Sequence, residues 1–122
     1  MKKVYICSPY RADTKEKLRE NVEAAKRLSR RAALEGNLVF CPHLCYPQFL
    51  NDCDEAEREM GMKAGLELLG MADEVWMLAG AVSAGMAAEI AKASELGIPV
   101  ITMCDPMVAE EHLLAAIMCG ED

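Results

Sequence analysis

The chain has 122 residues, 52% of them apolar, with a formal net charge of −7 and six cysteines. That length and composition give one domain, residues 1–122, with room for a single core, and they exclude a disordered chain. The acidic balance argues against nucleic acid as the main partner, and no apolar run approaches the ~18 residues that a membrane-spanning helix needs.

"KVYIC" (3–7) is a short apolar run of the kind found in a buried parallel strand. Ser8-Pro9 cuts that run too early for a secretion signal, so a cytoplasmic chain with reduced thiols is expected. "RADTKEKLRENVEAAKRLSRRAALEGN" predicts the first helix. Asp13 and Glu16 make a capping-box-like start, Gly36 is the stop, and Leu18, Val22, Ala25, Leu28 and Ala32 form its inner stripe.

"LVFC" (38–41) predicts a second strand, and "PHLCYPQFLNDCD" reads as a loop. Cys41, His43, Cys45 and Cys53 gather there, and Cys41/Cys45 just fits the spacing of a zinc ligand pair. A second ligand pair is missing, so the preferred reading is buried or loop thiols and no metal. Nor does any motif for a cofactor occur.

Asp54 with Glu57 opens the second helix, which is expected to run to about Leu69 and stop at Gly70. Gly61 and Gly65 fall on one face of it, at a cost of roughly 1 kcal/mol each against alanine. Either another helix or a ligand comes close at that face, or the helix is simply a poor one. "EVWML" (74–78) is the third strand, "AGMAAEIAKASEL" the third helix, "IPVIT" (98–102) the fourth strand, and "PMVAEEHLLAAIMCG" a closing helix.

This alternation predicts an α/β fold: a flavodoxin/Rossmann-like three-layer α/β/α parallel sheet with strand order 2-1-3-4. Ligands in such sheets sit outside the carboxyl ends of the strands, near the switch point. That edge gathers Cys7-Ser8-Pro9-Tyr10-Arg11, the loop after Cys41, and "GAVSAGMAAE".

One carboxylate, Glu89, stands in the first turns of the third helix. Ser83 is its expected N-cap and Gly85 lies in its first turn, where free N–H groups suit an anion. At 100° per residue, Glu89 falls about 60° from the stripe of Met86, Ile90 and Ala93. It either serves the helix dipole or is a nucleophile or base with restricted solvation.

"VYICSPYR" in the first strand, and "S-x-G-M-x-x-E-I-x-x-A…G-I-P-V" after the third, resemble the nucleoside 2-deoxyribosyltransferase-like superfamily. The resemblance spans Lys3 to about Thr102. It implies cleavage or transfer at the N-glycosidic bond of a nucleoside or nucleotide, with a glutamate attacking the anomeric carbon. Glu89 occupies that motif position, and Tyr5 matches an aromatic hydroxyl that assists the glutamate.

Six residues before the glutamate, transferases acting on free nucleosides carry an aspartate. Here Ser83 stands there, as in the branch that hydrolyses nucleoside 5′-monophosphates. Ser8 and Arg11 match that branch's phosphate contacts, beside Pro9 and Tyr10 in the same segment. Gly85, Met86 and His43 complete the expected substrate contacts.

One departure from this branch stands out. It carries an aspartate eight residues before the acid preceding the third strand, and counting back from Asp73 gives Gly65. The "PHLCYPQFLND" loop also departs from the transferases and resembles an uncharacterised branch. Tyr46 and Phe49 either stack on a base or plug the loop. A non-catalytic nucleotide-binding or sensing domain is therefore the alternative to an enzyme. The resemblance also implies a homodimer or higher oligomer, with the Gly61/Gly65 face and the Met-rich tail as candidate contacts.

Overall fold

Val4 and Ile6 of strand β1 (Lys3–Cys7) enter one core cluster, Tyr5 and Cys7 another, and this alternation divides the molecule. In the computed structural model, which describes residues 1–106, β1 lies between β2 (Leu38–Phe40) and β3 (Glu74–Leu78), with β4 (Val100–Met103) beyond β3. All three pairings are parallel, and the order β2-β1-β3-β4 is the one expected from the sequence. Tyr5 is registered opposite Phe40 on one side and Val75 on the other.

Helix α1 (Lys15–Leu34) covers the first face. Its Ala24, Leu28 and Ala32 pack with Val4, Ile6, Trp76 and Leu78. On the second face, α3 (Glu55–Gly70) and α4 (Ala84–Glu95) contribute Leu69, Met86 and Ala93 to a cluster with Tyr5, Cys7 and Val75. Register in β1 therefore decides that Tyr5 faces α3 and α4. A slip of one residue would send it toward α1 instead.

Several boundaries differ from the sequence reading, each for a local reason. Thr14, not Asp13, caps α1, its hydroxyl accepting from Lys17 N at 3.1 Å. Gly36 does end that helix, in the left-handed region at φ 89°. The second strand stops at Phe40, because Cys41 becomes the cap of a short helix α2 (Pro42–Cys45) with Pro42 in its first turn.

The expected loop therefore begins with that helix, followed by a 3₁₀ turn (Tyr46–Gln48). Asp54 caps α3 as expected, but Gly70 lies inside the helix and Met71 ends it. Strand β4 runs 100–103 rather than 98–102. The closing helix expected from Pro106 falls, beyond that residue, outside the described residues.

The inner stripe of α1 also shifts. Leu18 and Val22 are only half-buried, whereas Asn21 is buried and donates from Nδ2 to the Tyr10 carbonyl at 3.1 Å. A polar side chain on the inner face thus ties α1 to the segment after β1. No helix among the described residues is long and apolar enough to cross a membrane.

Candidate functional site

A cavity of about 410 Å³ opens at the carboxyl edge of the sheet, between α3 and α4. Its volume is in the range of small-molecule sites. The floor is buried: Tyr5 is 2% exposed and Glu89 8%. Arg11, Asp52, Arg58 and Ser83, all half-buried or exposed, also line it.

Helix α4 positions the carboxylate. Ser83 accepts from Met86 N at 3.2 Å and fixes the first turn, and Glu89 follows one turn further in. Burial lifts the Glu89 carboxyl from an ordinary 4.5 to about 7, while a hydrogen bond from the Tyr5 hydroxyl acts to lower it. Glu89 Oε2 is buried and has no hydrogen-bond partner among the described residues. A polar atom left in that state is costly to the fold and available to a ligand.

The neighbouring groups are held in their neutral forms. Burial and the Glu89 charge push the Tyr5 phenol upward and the Cys7 thiol up to about 12. Cys7 Sγ faces the Met86 carbonyl at 3.9 Å. Burial lowers the His43 imidazole, opposed by the Asp52 charge and the Ser8 backbone. His43 Nδ1 is likewise buried without a partner among the described residues, and its ring lies 5.1 Å from that of Tyr10.

Of the residues singled out from the sequence, Tyr5, Tyr10, Arg11, His43, Ser83, Gly85, Met86 and Glu89 all line this one cavity. Ser8 and Pro9 do not. Ser8 is fully buried with Oγ unpartnered among the described residues, and Pro9 is half-buried. Arg11 Nε lies 3.4 Å from Asp52 and joins the segment after β1 to the connection before α3. Among the described residues, no three His, Cys, Asp or Glu side chains stand together as a metal site. Cys45 and Cys53 are exposed.

The sequence reading names the Gly61/Gly65 face of α3 but not the other side chains on it that line the cavity. Arg58, Gly61, Met62, Gly65 and Leu66 line the cavity at i, i+3, i+4, i+7 and i+8, the pattern of one helix face. The glycine pair points to that face; the same four-residue spacing one turn back gives Glu57, which lines the cavity beside Arg58. Gly65 sits beside the carboxylate's partner: a Cβ there would stand 3.5 Å from the Tyr5 hydroxyl and 3.6 Å from Pro42 Cγ.

Residues 2–103 match the family model described as "Domain of unknown function (DUF7768)". The chain belongs to the DUF7768 family. A comparison with curated proteins returns no match. Among solved structures, the 2-deoxyribosyltransferase from the psychrotolerant bacterium Bacillus psychrosaccharolyticus is similar, with a TM-score of 0.69 and 23% identity. The similarity covers 85% of this chain and 72% of that one. At that identity the likeness establishes a shared fold: this DUF7768 domain has the deoxyribosyltransferase-type α/β sheet.

Proposed function

We propose that the chain cleaves or transfers the N-glycosidic bond of a nucleoside 5′-monophosphate, with Glu89 as nucleophile. The observation that carries this reading is the buried Glu89 at the cavity floor, with Tyr5 as its donor and Oε2 without a partner among the described residues. The fold shared with a 2-deoxyribosyltransferase supports the same chemistry.

In the proposed first step, a Glu89 carboxylate oxygen bonds to the anomeric carbon. The C–N bond breaks, and its electron pair leaves with the base, which takes a proton from solvent. Water or an acceptor base then resolves the glycosyl-enzyme. Tyr5 orients the carboxylate and keeps Oε2 as the attacking atom. A fixed anion at the floor also stabilises the oxocarbenium-like transition state.

The 5′-phosphate sits at the α4 N-terminus, where Ser83 and Gly85 present the first turn and Arg11 supplies a cation. Ser83 in place of an acid removes a charge that would repel it. This is the feature we take to favour the monophosphate-hydrolysing branch over enzymes acting on free nucleosides.

A second reading is favoured by one observation. Gly65 carries no side chain beside the Tyr5 hydroxyl, at the position where that branch has a carboxylate. On this reading the domain binds a nucleotide and does not turn it over.

Base release, followed by chromatography over ribo- and deoxyribonucleosides and their 5′-monophosphates, separates the two. Release that Glu89→Gln abolishes supports the enzyme. No release, while a nucleotide still raises the melting temperature, leaves the binding domain.

A further inference from the structure

The second step of the proposed chemistry sets a requirement that Glu89 cannot meet. When water resolves the glycosyl-enzyme it must lose a proton, and Glu89 is then bonded to the sugar. The two other carboxylates on the cavity wall are engaged. Asp52 lies 3.4 Å from Arg11 Nε, and Glu57 Oε1 accepts from Asn51 N at 3.0 Å. Burial raises the Tyr5 and Tyr10 phenols, which keeps both protonated.

His43 meets the requirement. It stands on α2, which Cys41 caps and Pro42 opens, and Tyr10 lies against its ring at 5.1 Å. His43 Nδ1, like Glu89 Oε2, is a buried polar atom with no partner among the described residues, and both side chains line the same cavity. Burial lowers the imidazole from an ordinary 6.5, so near pH 7 it is neutral and has a lone pair to offer. The Asp52 charge and the Ser8 backbone act the other way and stabilise an imidazolium once it forms.

Placement in the sheet suits the same role. Strand β1 separates β2, which leads into α2, from β3, which leads into α4. His43 and Glu89 thus reach the cavity from strands roughly 10 Å apart. A sugar bonded to Glu89, with a water on its far side, spans such a gap. The far side is where water must attack to displace the carboxylate.

We infer that His43 is the general base of the second step and directs the glycosyl-enzyme to water. The water oxygen bonds to the anomeric carbon, the bond from that carbon to Glu89 breaks, and its electron pair returns to the carboxylate. The water proton passes to the unprotonated nitrogen of His43, which later yields it to solvent. The inference rests on the N-glycosidic reading of this cavity and adds hydrolysis as its outcome.

The test compares the full chain with His43→Gln and His43→Phe on the best substrate among ribo- and deoxyribonucleoside 5′-monophosphates. His43→Phe keeps a ring against Tyr10, and melting temperatures report that each variant is folded. Base release is followed through the first turnover and at steady state. Both variants are expected to lose about 100-fold in kcat. Their kcat/KM for base release should stay within about twofold of the wild type, because it ends with cleavage of the C–N bond. A burst of base should therefore precede the slow rate. Azide, a nucleophile with no proton to lose, should restore turnover and give a glycosyl azide.

A fall in kcat/KM as large as that in kcat would overturn the assignment and put His43 on the first step or on substrate binding. Unchanged kcat, or slow variants that azide does not accelerate, would also overturn it. The two readings fail separately. A wild type with no base release and no adduct on Glu89 removes the N-glycosidic function and this role together. Glu89-dependent release that His43→Gln and His43→Phe leave at the wild-type rate removes this role alone.

Discussion

Glu89 carries opposite consequences for stability and for activity. Its carboxyl is raised to about 7 in the folded chain, chiefly by burial, so between about 4.5 and 7 the folded state binds more protons than the unfolded one. The associated stability is therefore fully present below about 4.5 and is lost as pH rises through 7, by up to ~3 kcal/mol. Glu89→Gln removes the ionisation. We expect it to melt higher than the wild type at pH 8, with a shallower fall in stability between pH 5 and 8; urea denaturation at several pH values measures this. A variant less stable than the wild type at pH 8 would contradict the desolvated-carboxylate account.

On the proposed mechanism activity runs the other way, because the carboxylate would be the attacking form. The rate of base release under kcat/KM conditions is expected to rise with pH through about 7 and then level off. A profile that falls over that interval would assign Glu89 the role of an acid instead. The placement of this residue was only partly legible in the sequence. The helical angle put it on the flank of the apolar stripe, but its burial to 8% exposure depends on how α3 and the segment after β2 close over α4. That closure is a tertiary fact with no local signature.

At the scale of elements, α4 and α3 divide the work of the cavity. Ser83→Ala removes the cap of α4 and should cost about 1 kcal/mol of stability. If the first turn also holds the phosphate, the same variant weakens nucleoside 5′-monophosphate binding more than nucleoside binding. Equal losses for both ligands would leave Ser83 a cap alone.

Gly65→Ala separates packing from function on α3. Its Cβ has room at ordinary contact distances, so the variant should gain roughly 0.5–1 kcal/mol in thermal or urea unfolding. It should nevertheless bind cavity ligands less well. A variant that is destabilised would show that the wall is closer packed than these distances allow.

The elements also show what sequence periodicity reaches. Strand order rests on the alternation of strands and helices, and the caps at Ser83 and Asp54 and the stop at Gly36 on local chemistry; the structure has them all. The α2 helix and the 3₁₀ turn are not legible in the sequence, because the two prolines of "PHLCYPQ" read as a loop. Pro42 instead sits in a first turn, where its missing N–H costs nothing. Asn21 breaks the apolar stripe of α1 and its burial is not legible from periodicity; its hydrogen bond to the Tyr10 carbonyl is what makes that burial tolerable.

For the whole molecule, the sheet edge brings together residues more than 80 positions apart, Tyr5 and Glu89 among them, and sets a buried carboxylate below a rim that carries two arginines. An acidic chain with such a rim admits an anion only by local contacts, against its overall field. The most direct measurement is peptide mapping by mass spectrometry after mixing the chain with a 2-fluoro-2-deoxyribonucleoside 5′-monophosphate. The fluorine slows breakdown of a glycosyl-enzyme by destabilising the oxocarbenium-like transition state. The account predicts a single fluoroglycosyl phosphate adduct on the peptide containing Glu89, absent in Glu89→Gln. Base release without that adduct, or an adduct on another residue, would contradict Glu89 as the nucleophile.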